Sequence, residues 1–178
     1  LALALAPQPP PARAEPPHTC FLALAAAAAG VSAQLAARTL GRFADALGHA
    51  RAACAGFKAH NEQNAEWINA GAAARCLQAL GRRDEALAAA DILLAEVNAR
   101  GGWGGGFEPA HHVYRALAPM GDPRAYDLLA GAYAALSAQA DLLVEYVPRD
   151  TFMTCTFATR GISEDWAATQ AEGNAKPG

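Results

Sequence analysis

Apolar and polar positions along this chain follow the three-to-four-residue spacing of helices, in successive blocks separated by sharp breaks. The spacing predicts helices over about 18–39, 42–60, 63–79, 83–99 and 108–119, another from Pro123 to about 143, and a last one near 163–171. Leu40-Gly41, His60-Asn61 and Leu80-Gly81 end the first three, and the glycine-rich stretch Gly101–Gly106 follows the fourth. Gly121-Asp122-Pro123 closes the fifth and opens the sixth, with Asp122 suited to an N-cap and Pro123 to the first helical position. Pro109 likewise fits the first turn of its helix, whereas Pro148 breaks the pattern ahead of a less regular end.

The breaks recur at a fixed interval. Leu40-Gly41-Arg42 is followed by Asp45-Ala46-Leu47 and Ala50, and the same types return 40 residues on, as Leu80-Gly81-Arg82, Glu85-Ala86-Leu87 and Ala90. Met120-Gly121-Asp122 lies a further 40 on, followed by Ala125 and Leu128-Leu129, and a weaker echo begins at Gly161 with Asp165 and Ala167. Glycine at a helix end takes the left-handed conformation that turns the chain sharply. An acid in the next first turn meets the positive end of that helix dipole, and the small alanine beside it lets paired helices approach closely. One pair cannot bury its apolar face alone, so pairs stack. The expected fold is all-α, with antiparallel helix pairs of about 40 residues over 18–145. A linker over 1–17 precedes them, and an irregular segment over 146–178, with a short helix and a polar tail, follows.

Composition narrows the function classes. Hydrophobic residues make up 53% and aromatics 7%, the excess being alanine, so a core of closely approaching helices is expected and little or no strand. The net charge of −3 leaves no basic stripe, which argues against nucleic-acid binding by this segment. Residues 7–17 hold six prolines and read as an extended entry. The apolar run Cys20–Val31 is too short to span a membrane and reads as a buried helix, the alternative being a targeting or anchoring segment; residues 1–6 leave a signal-peptide remnant open, although the apolar stretch is short and no charged start precedes it. The chain begins at Leu1 and not Met, which leaves open that it is a fragment, and a cytoplasmic location is expected. Cys20, Cys54, Cys76 and Cys155 form no CxxC pair and read as small buried thiols in a reducing compartment, the alternative being a Cys54–Cys76 disulfide between facing helices.

Two resemblances carry the functional expectation. The stretch Ala73 to Leu94, with turn glycine Gly81 and the acid-alanine pair Glu85-Ala86, looks like a tetratricopeptide (TPR) helix–turn–helix, Leu77 and Ala90 standing at its aromatic positions. Residues 102–133, with Glu108-Pro109, Tyr114 and Gly121-Asp122-Pro123-Arg124-Ala125, followed by Gln139-Ala140 and Val147-Pro148, are similar to the C-terminal repeat region of bacterial AAA-type or STAND-type ATPase regulators. Those regulators carry an adenylate-cyclase domain or a LuxR-type helix-turn-helix elsewhere. The resemblance implies a TPR-like α-solenoid, a non-catalytic interaction arm of a signalling or transcriptional regulator. It implies a protein or peptide partner, or another domain of the regulator, with no cofactor and no membrane. No GxxxxGK[ST] loop is present, because Phe107 and Glu108 follow the glycines. Exposed apolar faces at the ends of such a stack leave a homodimer open.

Candidate partner-binding residues follow from composition and place. Asn64 and Trp67, with Asn69 nearby, either line a concave groove or form a first-turn cluster whose ring packs inward. Trp103 and Phe107 flank a glycine loop that presents both rings to a partner or packs them on the adjoining helices. His112 and Arg115 lie in the helix after it. His111 and His112 point to different faces, one imidazole expected at the surface and one packed; Glu108 and His112 share a face, without a third metal ligand. Asp150, Glu164 and Asp165 have no evident base or pocket, so no catalytic residue is assigned.

Two other classes compete. An α/α-toroid enzyme fragment, like prenyltransferases or terpene cyclases, also carries Gly-Gly-Trp-Gly-Gly loops, of which this chain has one at 101–106. An exported helical scaffold would follow if residues 1–14 ended a signal.

Overall fold

A computed structural model describes Leu35 and residues 37–174. The linker over 1–17, the apolar run 20–31, most of the helix expected over 18–39 and the tail beyond 174 lie outside the described residues. Leu35 and Ala37–Thr39 are helical, and seven helices follow: α1 (Phe43–Ala59), α2 (Gln63–Ala79), α3 (Arg83–Ala99), α4 (Phe107–Leu117), α5 (Arg124–Leu142), α6 (Arg149–Thr154) and α7 (Phe157–Asn174). A 3-10 turn, Ala118–Met120, extends α4, and no strand occurs among the described residues. The chain is all-α. The bounds of α2 and α3 coincide with those expected, and those of α1 and α5 differ by about one residue.

The turns explain the regularity. Gly41, Gly81 and Gly121 have φ of +71°, +74° and +74°, and so do the work assigned to them. The Gly81 N–H donates to the Gln78 carbonyl and the Arg82 N–H to the Leu77 carbonyl, a Schellman closure. The same pair of bonds closes α1 at Asn61-Glu62 and α3 at Gly101-Gly102, with Asn61 at φ 57° and Gly101 at φ 84°. Left-handed residues thus stand at 41, 61, 81, 101 and 121, one every 20 residues, so the 40-residue repeat is two equal halves. Asparagine serves at 61 because its side chain tolerates this region better than most.

After each turn the acid acts locally. Asp45 and Glu85 accept from the side chains of Arg42 and Arg82 at 2.7 and 2.6 Å. Asp122 caps α5, as expected, by accepting from the Arg124 N–H at 2.9 Å. It also binds the Arg124 side chain, which reaches Asp91 of α3.

Packing rests on small residues. Ala46, Ala50, Ala72, Ala74, Ala86 and Ala90 are fully buried, and Leu47, Leu77 and Cys76 fill between them. Helix α2 packs on α1, α3 and α4, and α4 packs in turn on α5 and α7. Gly71 permits the approach of α2 to α4: a Cβ there would lie 2.9 Å from His112 Cβ and 3.2 Å from the Pro109 oxygen.

The end of the chain departs from expectation. In place of an irregular stretch with a short helix over 163–171, α7 runs for 18 residues from Phe157. Thr156 and Thr159 start it by exchanging backbone N–H to side-chain oxygen bonds, both 3.1 Å, a reciprocal cap. Ile162 is fully buried with Met153, Ala132 and Leu136, and Trp166 stacks on Tyr133 at 5.0 Å. Gly161, read as a weak fourth turn, sits inside α7, where its missing side chain makes room for His111, whose Cε1 would be 3.1 Å from a Cβ. Among the described residues no helix is long and apolar enough to cross a membrane.

Candidate functional site

The six candidate residues divide between two concavities that share Glu108. Asn64, Trp67, Trp103 and Phe107 line a cleft of about 690 Å³ between the first turn of α2, the loop 101–106 and the first turn of α4. His112 and Arg115 line a second cavity of about 400 Å³ on the far side of Glu108.

The cleft is floored by tryptophan. Trp67, 3% exposed, meets the edge of Trp103 at 5.9 Å with the rings nearly perpendicular. Trp103 and Phe107 pack inward onto the core, so the connector reading of the glycine loop holds for the rings. Glycines 101, 102, 104 and 105 all have positive φ, which folds the loop back over α2. Asn64 is exposed at the rim, its Oδ1 2.8 Å from where a Cβ on Gly106 would stand. Asn69 is buried instead, donating to the Ala65 carbonyl at 2.7 Å, and its Oδ1 and the Trp67 Nε1 are buried without protein partners. The two sequence-separated candidate pairs are therefore one surface.

The second cavity contradicts two expectations. Both histidines are buried, 4% and 8% exposed, in place of one at the surface. The physical reason is that α4 is covered on two faces: α7 lies over His111 and α2 over His112. Asp165 is also not without a base. Its Oδ2 lies 2.7 Å from His111 Nε2, and its Oδ1 accepts from Arg115 Nη2 at 2.7 Å, with Arg115 Nε on the same carboxylate. Burial alone would raise the Asp165 carboxyl, but these bonds outweigh it and hold it below its ordinary value. Burial likewise keeps His111 below its ordinary value, so the neutral ring donates from Nε2 to Asp165. Tyr114 stacks on the same imidazole.

His112 is more extreme. Burial pushes it down to about 4, with Arg38 and Arg75 working in the same direction. Its Nε2 lies 3.7 Å from Glu108 Oε1, too far for a hydrogen bond, and its Nδ1 is buried without a partner. The Glu108 carboxyl is held low chiefly by His112, against its own burial.

Arg38 and Arg75 complete this cavity, and neither was read from the sequence as a site residue. A signal was available: Leu35, Arg75 and Arg115 stand 40 residues apart and all line it. Arg75 is lowered to about 10, first by burial and then by Arg38 and Arg115. Among the described residues no three metal-ligating side chains converge. Cys54, Cys76 and Cys155 are free thiols, so no disulfide joins 54 to 76; Cys76 is buried, Cys54 half-buried and Cys155 exposed, against the expectation of buried thiols throughout. No protein-family model, curated protein or solved structure matches the chain.

Proposed function

We propose that the chain is a TPR-like α-solenoid segment, a non-catalytic interaction arm of a larger cytoplasmic regulator, that holds a protein or peptide partner in the tryptophan-floored cleft. The observation that carries this reading is the convergence of Asn64, Trp67, Trp103 and Phe107 on one cleft. Aromatic floors supply apolar contact area at small entropic cost, and a rim amide such as Asn64 supplies adaptable hydrogen bonds. The even spacing of left-handed turns supports a repeat architecture, in which successive units build an extended binding face. The histidine–aspartate–arginine group supports a structural role: His111 Nε2 and both Asp165 oxygens are committed to tying α4 to α7. The toroid alternative requires several glycine loops, and the chain has one.

The test is selection of a displayed random-peptide library against the full chain. Enriched peptides should bind with micromolar Kd and quench tryptophan fluorescence. They should weaken by about tenfold or more in Trp103→Ala, an interface anchor being worth over 1 kcal/mol. Failure of any peptide to enrich, or equal binding by that variant, would remove the assignment.

A further inference from the structure

We propose that the cavity between Leu35, Arg38, Thr39, α2, α4 and α7 is a binding site for a small organic oxyanion, a phosphate or carboxylate carried on an aromatic or apolar body. Four arginines from four separate elements line it: Arg38, Arg75 of α2, Arg115 of α4 and Arg160 of α7. Two have local partners. Arg115 is bound to Asp165, and Arg160 donates to the Thr154 carbonyl at 3.2 Å. The side chains of Arg38 and Arg75 make neither an ion pair nor a hydrogen bond among the described residues, although both residues are half-buried. The carboxylates on the wall are Glu108, beside His112, and Glu164.

Two half-buried, unpaired guanidiniums that repel one another are a standing cost to the ligand-free fold. Burial, with Arg38 and Arg115 behind it, lowers the Arg75 pKa to about 10 against a weaker pull from Asp165, and burial lowers that of Arg38 against the pull of Glu108. Such an arrangement is characteristic of binding sites, where the ligand supplies the missing charge. Guanidinium is also the cation best matched to the planar or tetrahedral oxygens of carboxylate and phosphate, through paired N–H donors.

His112, 8% exposed, also lines this cavity, and burial keeps its ring neutral, so the arginines carry the positive charge. The rest of the wall says what the anion is attached to. Leu35, Phe43, Ile68 and Phe157 line the same space, and Phe157 is 82% exposed. A volume of about 400 Å³ fits a one-ring molecule and leaves little room for a longer chain.

The experiment measures binding to the full chain by calorimetry and thermal shift at fixed ionic strength. Phenyl phosphate and benzoate are the two anion probes, with inorganic phosphate and benzyl alcohol as halves of the ligand. Saturable binding of at least one aromatic anion, tighter than either half, is expected. Preference for phenyl phosphate assigns a phosphate monoester, and preference for benzoate a carboxylate. Arg75→Met should weaken that probe by about tenfold or more, the loss of one charge-assisted interaction, while the ligand-free variant melts at or above the wild-type temperature. Arg38→Gln should weaken it similarly. Absence of saturable binding by both anions, or unchanged affinity in both variants, overturns the proposal. A lower ligand-free Tm in Arg75→Met would assign that arginine to the fold and overturn it too.

Discussion

Gly71 and His112 are as close as two helices allow: a Cβ on Gly71 would sit 2.9 Å from the His112 Cβ. That contact sets how near α2 lies to α4, and hence how the cavity walls meet. Gly71→Ala should therefore destabilise the chain by about 1–3 kcal/mol, the usual cost of overpacking. Gly48→Ala and Gly131→Ala are the controls, because a Cβ at either meets nothing within 4 Å and both lie inside helices. They should stabilise by about 0.5–1 kcal/mol through lower entropy of the unfolded chain. Urea midpoints of the three variants decide the matter, and a stabilised Gly71→Ala would mean that the helices stand farther apart.

At the turn glycines the restriction comes from the backbone. A Cβ on Gly81 would touch nothing, yet φ is +74°. Gly81→Val should cost on the order of 1–2 kcal/mol, because a β-branched residue resists positive φ. Gly81→Asn should cost less, as Asn61 already holds this conformation at φ 57°. Equal melting temperatures for wild type and the valine variant would contradict the placement of this turn.

Asp165 joins α7 to α4 through His111 and Arg115. Asp165→Asn removes the charge and leaves Arg115 facing Arg75 without compensation. A loss of about 1–3 kcal/mol is expected, the cost of breaking a partly buried charged hydrogen-bond group. Amide exchange should speed up first in α7. Uniform exchange across all helices would show that α7 and the rest unfold together.

The buried histidines make stability depend on pH. His112 titrates at about 4 in the folded chain, against 6.5 when exposed. The folded state then holds fewer protons than the unfolded chain between those values, so this contribution is complete above pH 6.5 and falls as the pH drops towards 4. The shift corresponds to roughly 3 kcal/mol. His111, lowered in the same direction, adds to the loss, and Glu108 and Asp165 extend it at lower pH because their carboxyls sit below the ordinary range. Urea midpoints measured from neutral pH down to the unfolded edge should fall with acid, and His112→Gln should flatten the slope. Rising stability on acidification would show the imidazole to be charged in the fold.

Helix limits and turns were legible in the chain because their causes are local. A glycine or asparagine at positive φ acts through bonds to carbonyls three and five residues back, as at Gly81 and Asn61, and the repeat shows it at every second turn. The length of α7 was not legible: its cap is a threonine pair in place of the usual acid, and its glycine reads as a turn until His111 fills the space beside it. The cleft was half legible, since Trp67 and Trp103 stood out as rings but not as neighbours.

By itself, then, the sequence determined where α1 to α5 begin and turn, since hydrogen bonds within a few residues decide that. Only the tertiary structure decided which faces of α4 are covered, which buried both His111 and His112. It also brought Asp165 to His111 across 54 residues and set Arg38 and Arg75 in one cavity with Arg115. Helical periodicity marks an apolar face but carries no information about which charges a neighbouring helix will place against a polar one.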